Sequence, residues 1–278
     1  MHNKKLSICA IFCCIALALK VHSETKQLNC EPFSATQTPI GDFQNNVWNQ
    51  QAAGDFKWRQ CVLKKQTSQG TKYGWSWQWP PKGTEVYAQP QVTLGQTPWV
   101  GHKTPYPGYP ISLASLNSLS VSYQTETNSN GAYNLATTFW ITSANNIPTI
   151  AHKESIAAEL MVWTYASPGF YNHPAGKKVA EMLASGENWE VWVQQNWHDT
   201  SGVQNNRWVY IAFRSKSNRF SADYDATAMI NFAVERGYLK RNLYIADIQL
   251  GNEVMSGTGE TWVDKFAVSI NGKLARSL

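Results

Sequence analysis

Apolar and polar residues alternate along most of the chain after about residue 43, in short runs separated by Gly, Pro, Asn and Ser. A period of two is the signature of a half-buried strand. It predicts strands at 43–50, 56–63, 73–79, 85–94, 116–124, 132–141, 157–165, 189–196, 207–214, 244–252 and 262–270. Residues two apart share a face. In YGWSWQW, Tyr73, Trp75, Trp77 and Trp79 therefore oppose Gly74, Ser76 and Gln78. In YIADIQLGN, Ala246, Ile248 and Leu250 oppose Asp247, Gln249 and Gly251. Only residues 223–236 read as a helix. Ala228, Met229, Phe232 and Ala233 recur at helical spacing, Asp223 and Asp225 suit its start and Gly237 suits its end. Residues 95–112 read as a long loop and 142–156 as an insertion between strands. This pattern predicts an all-β protein of two stacked antiparallel sheets with one short helix. If one sheet curves, its concave face forms a cleft.

The start of the chain reads differently. Lys4 and Lys5 precede an apolar run of 14 residues, Leu6–Leu19, and Val21-His22-Ser23 offers a cleavage site. Residues 1–23 thus read as a secretory signal peptide and 24–278 as a single domain. The apolar run is short for a membrane span, so the expected product is secreted and extracellular, with no membrane partner once the leader is removed. Cleavage takes Cys9, Cys13 and Cys14 with it. Cys30 and Cys61 remain, and an even pair in an exported protein reads as one disulfide. The net charge of +5 falls to +2 without Lys4, Lys5 and Lys20. No dense basic patch remains, which argues against nucleic acid as a partner. The 13 Trp and 12 Tyr all lie outside the leader. Flat rings in such number suit a groove that binds sugar rings. His152, His173 and His198 lack metal-ligand spacing, and neither a metal nor a cofactor is expected.

Two glutamates sit inside strand patterns. In AAELMVWTY, Glu159 shares a face with Met161, Trp163 and Tyr165. Glu253 shares a face with Asp247, Gln249 and Gly251, where Gly251 could leave room for a ligand. Pattern alone allows both to be solvated strand ends. Asp199, in QQNWHDTSGVQNN, reads as a solvated turn residue.

Whole segments, however, resemble glycoside hydrolase family 12, the β-jelly-roll endoglucanases and xyloglucanases. Glu159-Leu160-Met161-Val162-Trp163 resembles the family's nucleophile strand, and Gly251-Asn252-Glu253-Val254-Met255-Ser256-Gly257 its acid/base segment. Pro174-Ala175-Gly176 resembles the turn between them. Asn45-Asn46-Val47-Trp48 resembles an early strand whose Trp stacks on sugar. The likeness covers roughly residues 30–270.

The resemblance implies a β-jelly-roll sandwich of two curved sheets with a concave substrate cleft. It implies Glu159 as nucleophile and Glu253 as general acid/base, with Trp48, Asn46, Trp77, Met161, Trp163 and Thr138 as residues of the cleft. Thr138 marks a departure, because relatives carry there an Asp that supports the nucleophile. The implied function is a retaining endo-β-1,4-glucanase acting on cellulose or mixed-linkage glucan by double displacement. A xyloglucan-specific enzyme is the alternative, and a non-catalytic carbohydrate-binding protein the rival from another class. A β-glucan polysaccharide is the expected partner, and a monomer is the default for a small exported hydrolase.

Overall fold

The computed structural model describes residues 24–99, 108–145, 153–199, 203 and 205–275. The proposed leader 1–23, residues 100–107 of the 95–112 loop, residues 146–152 of the 142–156 insertion, which include His152, and Ser201-Gly202 lie outside them. In chain order the strands are β1 (Thr25–Asn29), β2 (Ala35–Thr38), β3 (Gly41–Gln44), β4 (Arg59–Thr67), β5 (Gly70–Gln78), β6 (Gln91–Gly95), β7 (Ile111–Ser112), β8 (Leu119–Ser129), β9 (Asn134–Thr142), β10 (Ile156–Ala166), β11 (Lys177–Ala184), β12 (Glu187–Trp197), β13 (Trp208–Ser215), β14 (Ser221–Asp225), β15 (Tyr244–Gly251), β16 (Thr258–Ile270) and β17 (Lys273–Leu274). One sheet runs β1-β4-β5-β16-β8-β14, with β17 on β16. The other runs β11-β12-β13-β10-β9-β15-β6-β3-β2, with β7 on β15.

The core lies between the sheets. Leu160 and Val162 of β10, Leu135, Phe139 and Ile141 of β9, and Ile248 and Leu250 of β15 all point into it. The partners of these residues in the alternation therefore face outward from the larger sheet. From the opposite sheet the Trp-rich face of β5 points into the same core. Trp77, expected in the cleft, is 3% exposed and packs there against Tyr133. The pattern had grouped the rings of β5 correctly, but their face is the inner one.

The helix α1 spans Ala226–Glu235, three residues later than the sequence suggests. Asp223 belongs to β14, while Asp225 caps the helix by accepting the backbone N–H groups of Thr227 and Ala228. Met229, Ile230 and Ala233 are buried under the sheets. Among the strands without a sequence signal, β11 turns Ala180, Met182 and Ala184 toward the core, but Val179 and Leu183 are apolar on its exposed face and hide the alternation. The candidate strand 43–50 ends at Gln44, followed by a lone bridge at Val47 and a 3-10 turn at Gln50–Ala53.

The expected disulfide, Cys30–Cys61, is present. It ties the turn between β1 and β2 to β4, and such a closure contributes about 2–4 kcal/mol. The sheets also depart from pure antiparallel pairing. β10 and β13 run parallel, whereas the other strand pairs are antiparallel. A parallel pair needs a crossover, and the β11–β12 hairpin supplies it.

Candidate active site

The register of the larger sheet places its outward residues in rows. One row reads Gly95, Asp247, Trp140, Glu159, Tyr210 and Gln194 across β6, β15, β9, β10, β13 and β12. The next reads Thr93, Gln249, Thr138, Met161, Ala212 and Trp192. Glu159 thus stands between two aromatic residues, Trp140 and Tyr210. Thr138 lies one row away, diagonal to it.

Glu253 follows the end of β15, and Asn134 holds it. Asn134 Oδ1 accepts the Glu253 backbone N–H at 2.8 Å, and Asn134 Nδ2 donates to the Glu253 carboxylate. Asn252 anchors the same turn to the core. Its Oδ1 accepts from Trp75 Nε1 and from Thr261 Oγ1, each at 2.8 Å, and its Nδ2 donates to the Asn134 carbonyl at 2.7 Å. The acid-bearing turn is therefore held by both sheets. Gly251 serves this packing rather than a ligand. A Cβ there would lie 2.6 Å from the Pro90 carbonyl and 2.8 Å from the Gln91 Cβ.

Glu159 and Glu253 line one pocket on this outer face, together with Asn46, Trp48, Gln89, Trp140, Asp199 and Gln249. Phe33, Trp99 and Lys153 complete its wall. Burial pushes the Glu159 carboxyl well above its ordinary range, and Asp199 and Glu253 push it further. The Trp208 indole N–H pulls the other way, although it makes no hydrogen bond of ordinary geometry. Burial also raises Glu253, to about 7, against the hydrogen bond from Asn134 and with a smaller push from Asp199. Two such carboxyls resist carrying two charges at once.

Of the residues expected from sequence, Glu159, Glu253, Trp48 and Asn46 meet at this pocket. Met161 and Trp163 lie on the face of Glu159 but are buried in a separate apolar cluster with Phe170 and Met255. There Met161 Sδ accepts from Trp163 Nε1 at 3.5 Å and from Tyr210 Oη at 3.4 Å. Tyr165, expected on that face too, follows a register shift and stacks on Tyr133 and Phe220. Thr138 is 1% exposed and accepts from Gln89 Nε2 at 3.4 Å.

Gln249 is a pocket residue that the alternation places on the face of Glu253, whereas Trp140, on the face of Thr138 in β9, was not among the expected cleft residues. Asp199 is different. Expected as a solvated turn residue, it reaches the pocket, and Trp197 Nε1 donates to its Oδ2 at 3.0 Å. Among the described residues no group of three His, Cys, Asp or Glu side chains could hold a metal ion. His173 stacks on Trp192, and His198 Nδ1 donates to the Asn206 carbonyl at 3.0 Å.

Residues 42–271 match the family described as Glycosyl hydrolase family 12. Endoglucanase A of Aspergillus kawachii (strain NBRC 4308) is 24% identical over 266 residues, with 92% of this chain and 98% of that protein covered. Among solved structures, a family 12 xyloglucanase from Bacillus licheniformis superposes with a TM-score of 0.74 at 21% identity, covering 89% of this chain and 100% of that one. Endoglucanase cel12A from Rhodothermus marinus gives 0.65 at 22% identity, covering 87% and 98%.

Proposed function

The chain belongs to glycosyl hydrolase family 12, and from that premise we propose that it is a secreted, retaining endo-β-1,4-glucanase in which Glu159 is the nucleophile and Glu253 the general acid/base. The observation that carries this reading is the meeting of the two glutamates in one pocket under different constraints. Glu253 is gripped by Asn134 at backbone and carboxylate, and its carboxyl sits at about 7. A group poised there can give a proton to the leaving oxygen and later take one from water. Glu159 stands in mid-strand, fixed between Trp140 and Tyr210.

The reaction needs one proton on the pair. With the proton on Glu253, Glu159 is a carboxylate facing the positive charge that develops at the anomeric carbon. Its attack forms a glycosyl ester, while the aglycone oxygen leaves with the Glu253 proton. Esterification removes the Glu159 charge, so the pull on a proton at Glu253 weakens. Glu253 becomes the base that deprotonates the incoming water, and the ester breaks with net retention. This course needs carboxyl groups about 5–5.5 Å apart, against about 6.5–9.5 Å for inversion.

The export reading rests on the leader-like residues 1–23 and on the Cys30–Cys61 disulfide, a bond that persists in oxidising compartments. Among the described residues no helix is long and apolar enough to cross a membrane.

The test is product analysis on carboxymethyl cellulose, barley β-glucan, tamarind xyloglucan and xylan, with the anomer first released followed by proton NMR. Release of β-anomer oligosaccharides from barley glucan or carboxymethyl cellulose supports the reading. Turnover confined to tamarind xyloglucan makes it a xyloglucanase. Initial α-anomer refutes retention, and absence of hydrolysis on the whole panel refutes the glucanase assignment.

A further inference from the structure

Asp199 enters the glutamate pocket from a connection, not from a strand. β12 and β13 are antiparallel, with Trp197 opposite Trp208 at the end of their ladder. Tyr210, two residues further along β13, is the lateral neighbour of Glu159. The β12–β13 connection therefore begins beside the row that carries Glu159, and Asp199 lines the same pocket as Glu159 and Glu253. Its position is built in. Trp197 Nε1 donates to Asp199 Oδ2 at 3.0 Å, and the Trp197 ring lies against Tyr210 with centroids 5.4 Å apart. Thr138, which stands where the family resemblance implies a supporting Asp, has no charge, and its hydroxyl is engaged by Gln89.

Resting on the reading of Glu159 and Glu253 as the reacting pair, we propose that Asp199 is a positioning residue of that pair, a third carboxylate whose negative charge keeps one proton on the two glutamates at neutral pH. A negative charge close to two carboxyls in a pocket of low polarity disfavours ionisation of each. The charge bears on Glu159 more strongly than Glu253 does, and it bears on Glu253 as well. Among the described residues, the other ionisable groups around the pair are Lys153 in the pocket wall, Tyr210 of β13, Asp247 of β15, Tyr171 after β10 and His198 next to Asp199. Lys153, a lysine in the pocket wall, carries charge of the opposite sign to Asp199. Because these groups are common to wild type and variant, the sign of the change on losing Asp199 is set by Asp199 alone.

The experiment is the pH dependence of kcat/KM on barley β-glucan for wild type, Asp199→Asn, Asp199→Glu and, as control, Glu253→Gln, each checked by thermal melting. Asp199→Asn is expected to move both limbs to lower pH by about 0.5–1.5 units, the range for one charge at several ångströms in a partly screened site. The variant then loses activity mainly on the alkaline side, where Glu253 gives up its proton too early. Asp199→Glu keeps the limbs near those of wild type. A folded Asp199→Asn whose whole profile is scaled down without moving overturns the proposal. So does failure of both Asp199→Asn and a second neutral variant, Asp199→Ser, to fold, because Asp199 is then a structural residue. The control separates the two levels of inference. An inactive Glu253→Gln with unmoved limbs in Asp199→Asn refutes the role of Asp199 alone, whereas an active Glu253→Gln refutes the assignment of the pair.

Discussion

Asn134 holds Glu253 at two points, accepting its backbone N–H at 2.8 Å and donating to its carboxylate. The two residues are 119 positions apart in the chain. The side-chain hydrogen bond favours the ionised form of Glu253 and pulls its pKa down against burial. Asn134→Ala removes that pull. The alkaline limb of kcat/KM should move to higher pH, opposite to the shift expected for Asp199→Asn. Loss of a hydrogen bond to a charged group costs about 1.5–3 kcal/mol, so the maximal rate should fall by at least about tenfold. An unmoved alkaline limb in a folded variant would show that Asn134 does not tune Glu253.

Glu159→Gln should abolish nearly all hydrolysis and leave the fold intact. The amide keeps the shape of the side chain and removes a carboxyl that burial and two acidic neighbours destabilise as an anion. Melting at neutral pH should therefore be unchanged or slightly higher. Turnover on a soluble glucan, measured beside melting, checks both parts. Retention of more than about a tenth of the wild-type rate, a barrier change under about 1.4 kcal/mol, excludes Glu159 as nucleophile.

Trp48 is half-buried at the pocket wall. Trp48→Ala, made in the Glu159→Gln background, should weaken cellotetraose binding by about 1–3 kcal/mol, taking aromatic stacking on a flat ligand as the guide. The fold should suffer less, because the ring is not part of the core between the sheets. Isothermal titration calorimetry gives the affinity. Unchanged binding would mean that no sugar unit stacks on Trp48.

Asp247 is wholly buried on the pocket-facing side of β15, and its Oδ2 accepts from Gln249 Nε2 at 2.7 Å. Burial raises its carboxyl to about 8. Between about pH 4 and 8 the folded chain binds a proton there that the unfolded chain has released, so this group makes stability fall as pH rises through that window. Asp247→Asn keeps an acceptor for Gln249 and has no charge to bury. It should flatten the fall and stabilise the protein at pH 8 by about 1–3 kcal/mol, with little change at pH 4. Melting curves across that range are the measurement. Equal slopes in the two proteins would contradict a buried titrating Asp247.

Much of the site was legible in the chain because strands have a period of two. That period placed Leu160 and Val162 opposite Glu159 and Met161, and Ile248 and Leu250 opposite Asp247 and Gln249, as the two faces of the sheet require. It failed at Tyr165, where one register shift turns the following residues over. It also says which residues share a face without saying which way that face points. The four rings from Tyr73 to Trp79 could line a groove or fill a core, and only the packing of β5 against the larger sheet decides for the core.

The amino-acid sequence by itself determined the all-β class, a helix expected at 223–236 and found at Ala226–Glu235, and the two glutamates that meet in the pocket, because each shows in local periodicity or a short contiguous motif, and it left Cys30 and Cys61 as the cysteines available to pair. The tertiary structure alone decided that Asn134 grips Glu253, that Trp140 rather than Thr138 stands directly beside Glu159, and that Asp199 leaves its turn for the pocket. Those relationships follow from strand register and from the parallel crossover between β10 and β13. Both are set by long-range packing, and a connecting segment carries no periodic pattern from which its destination can be read.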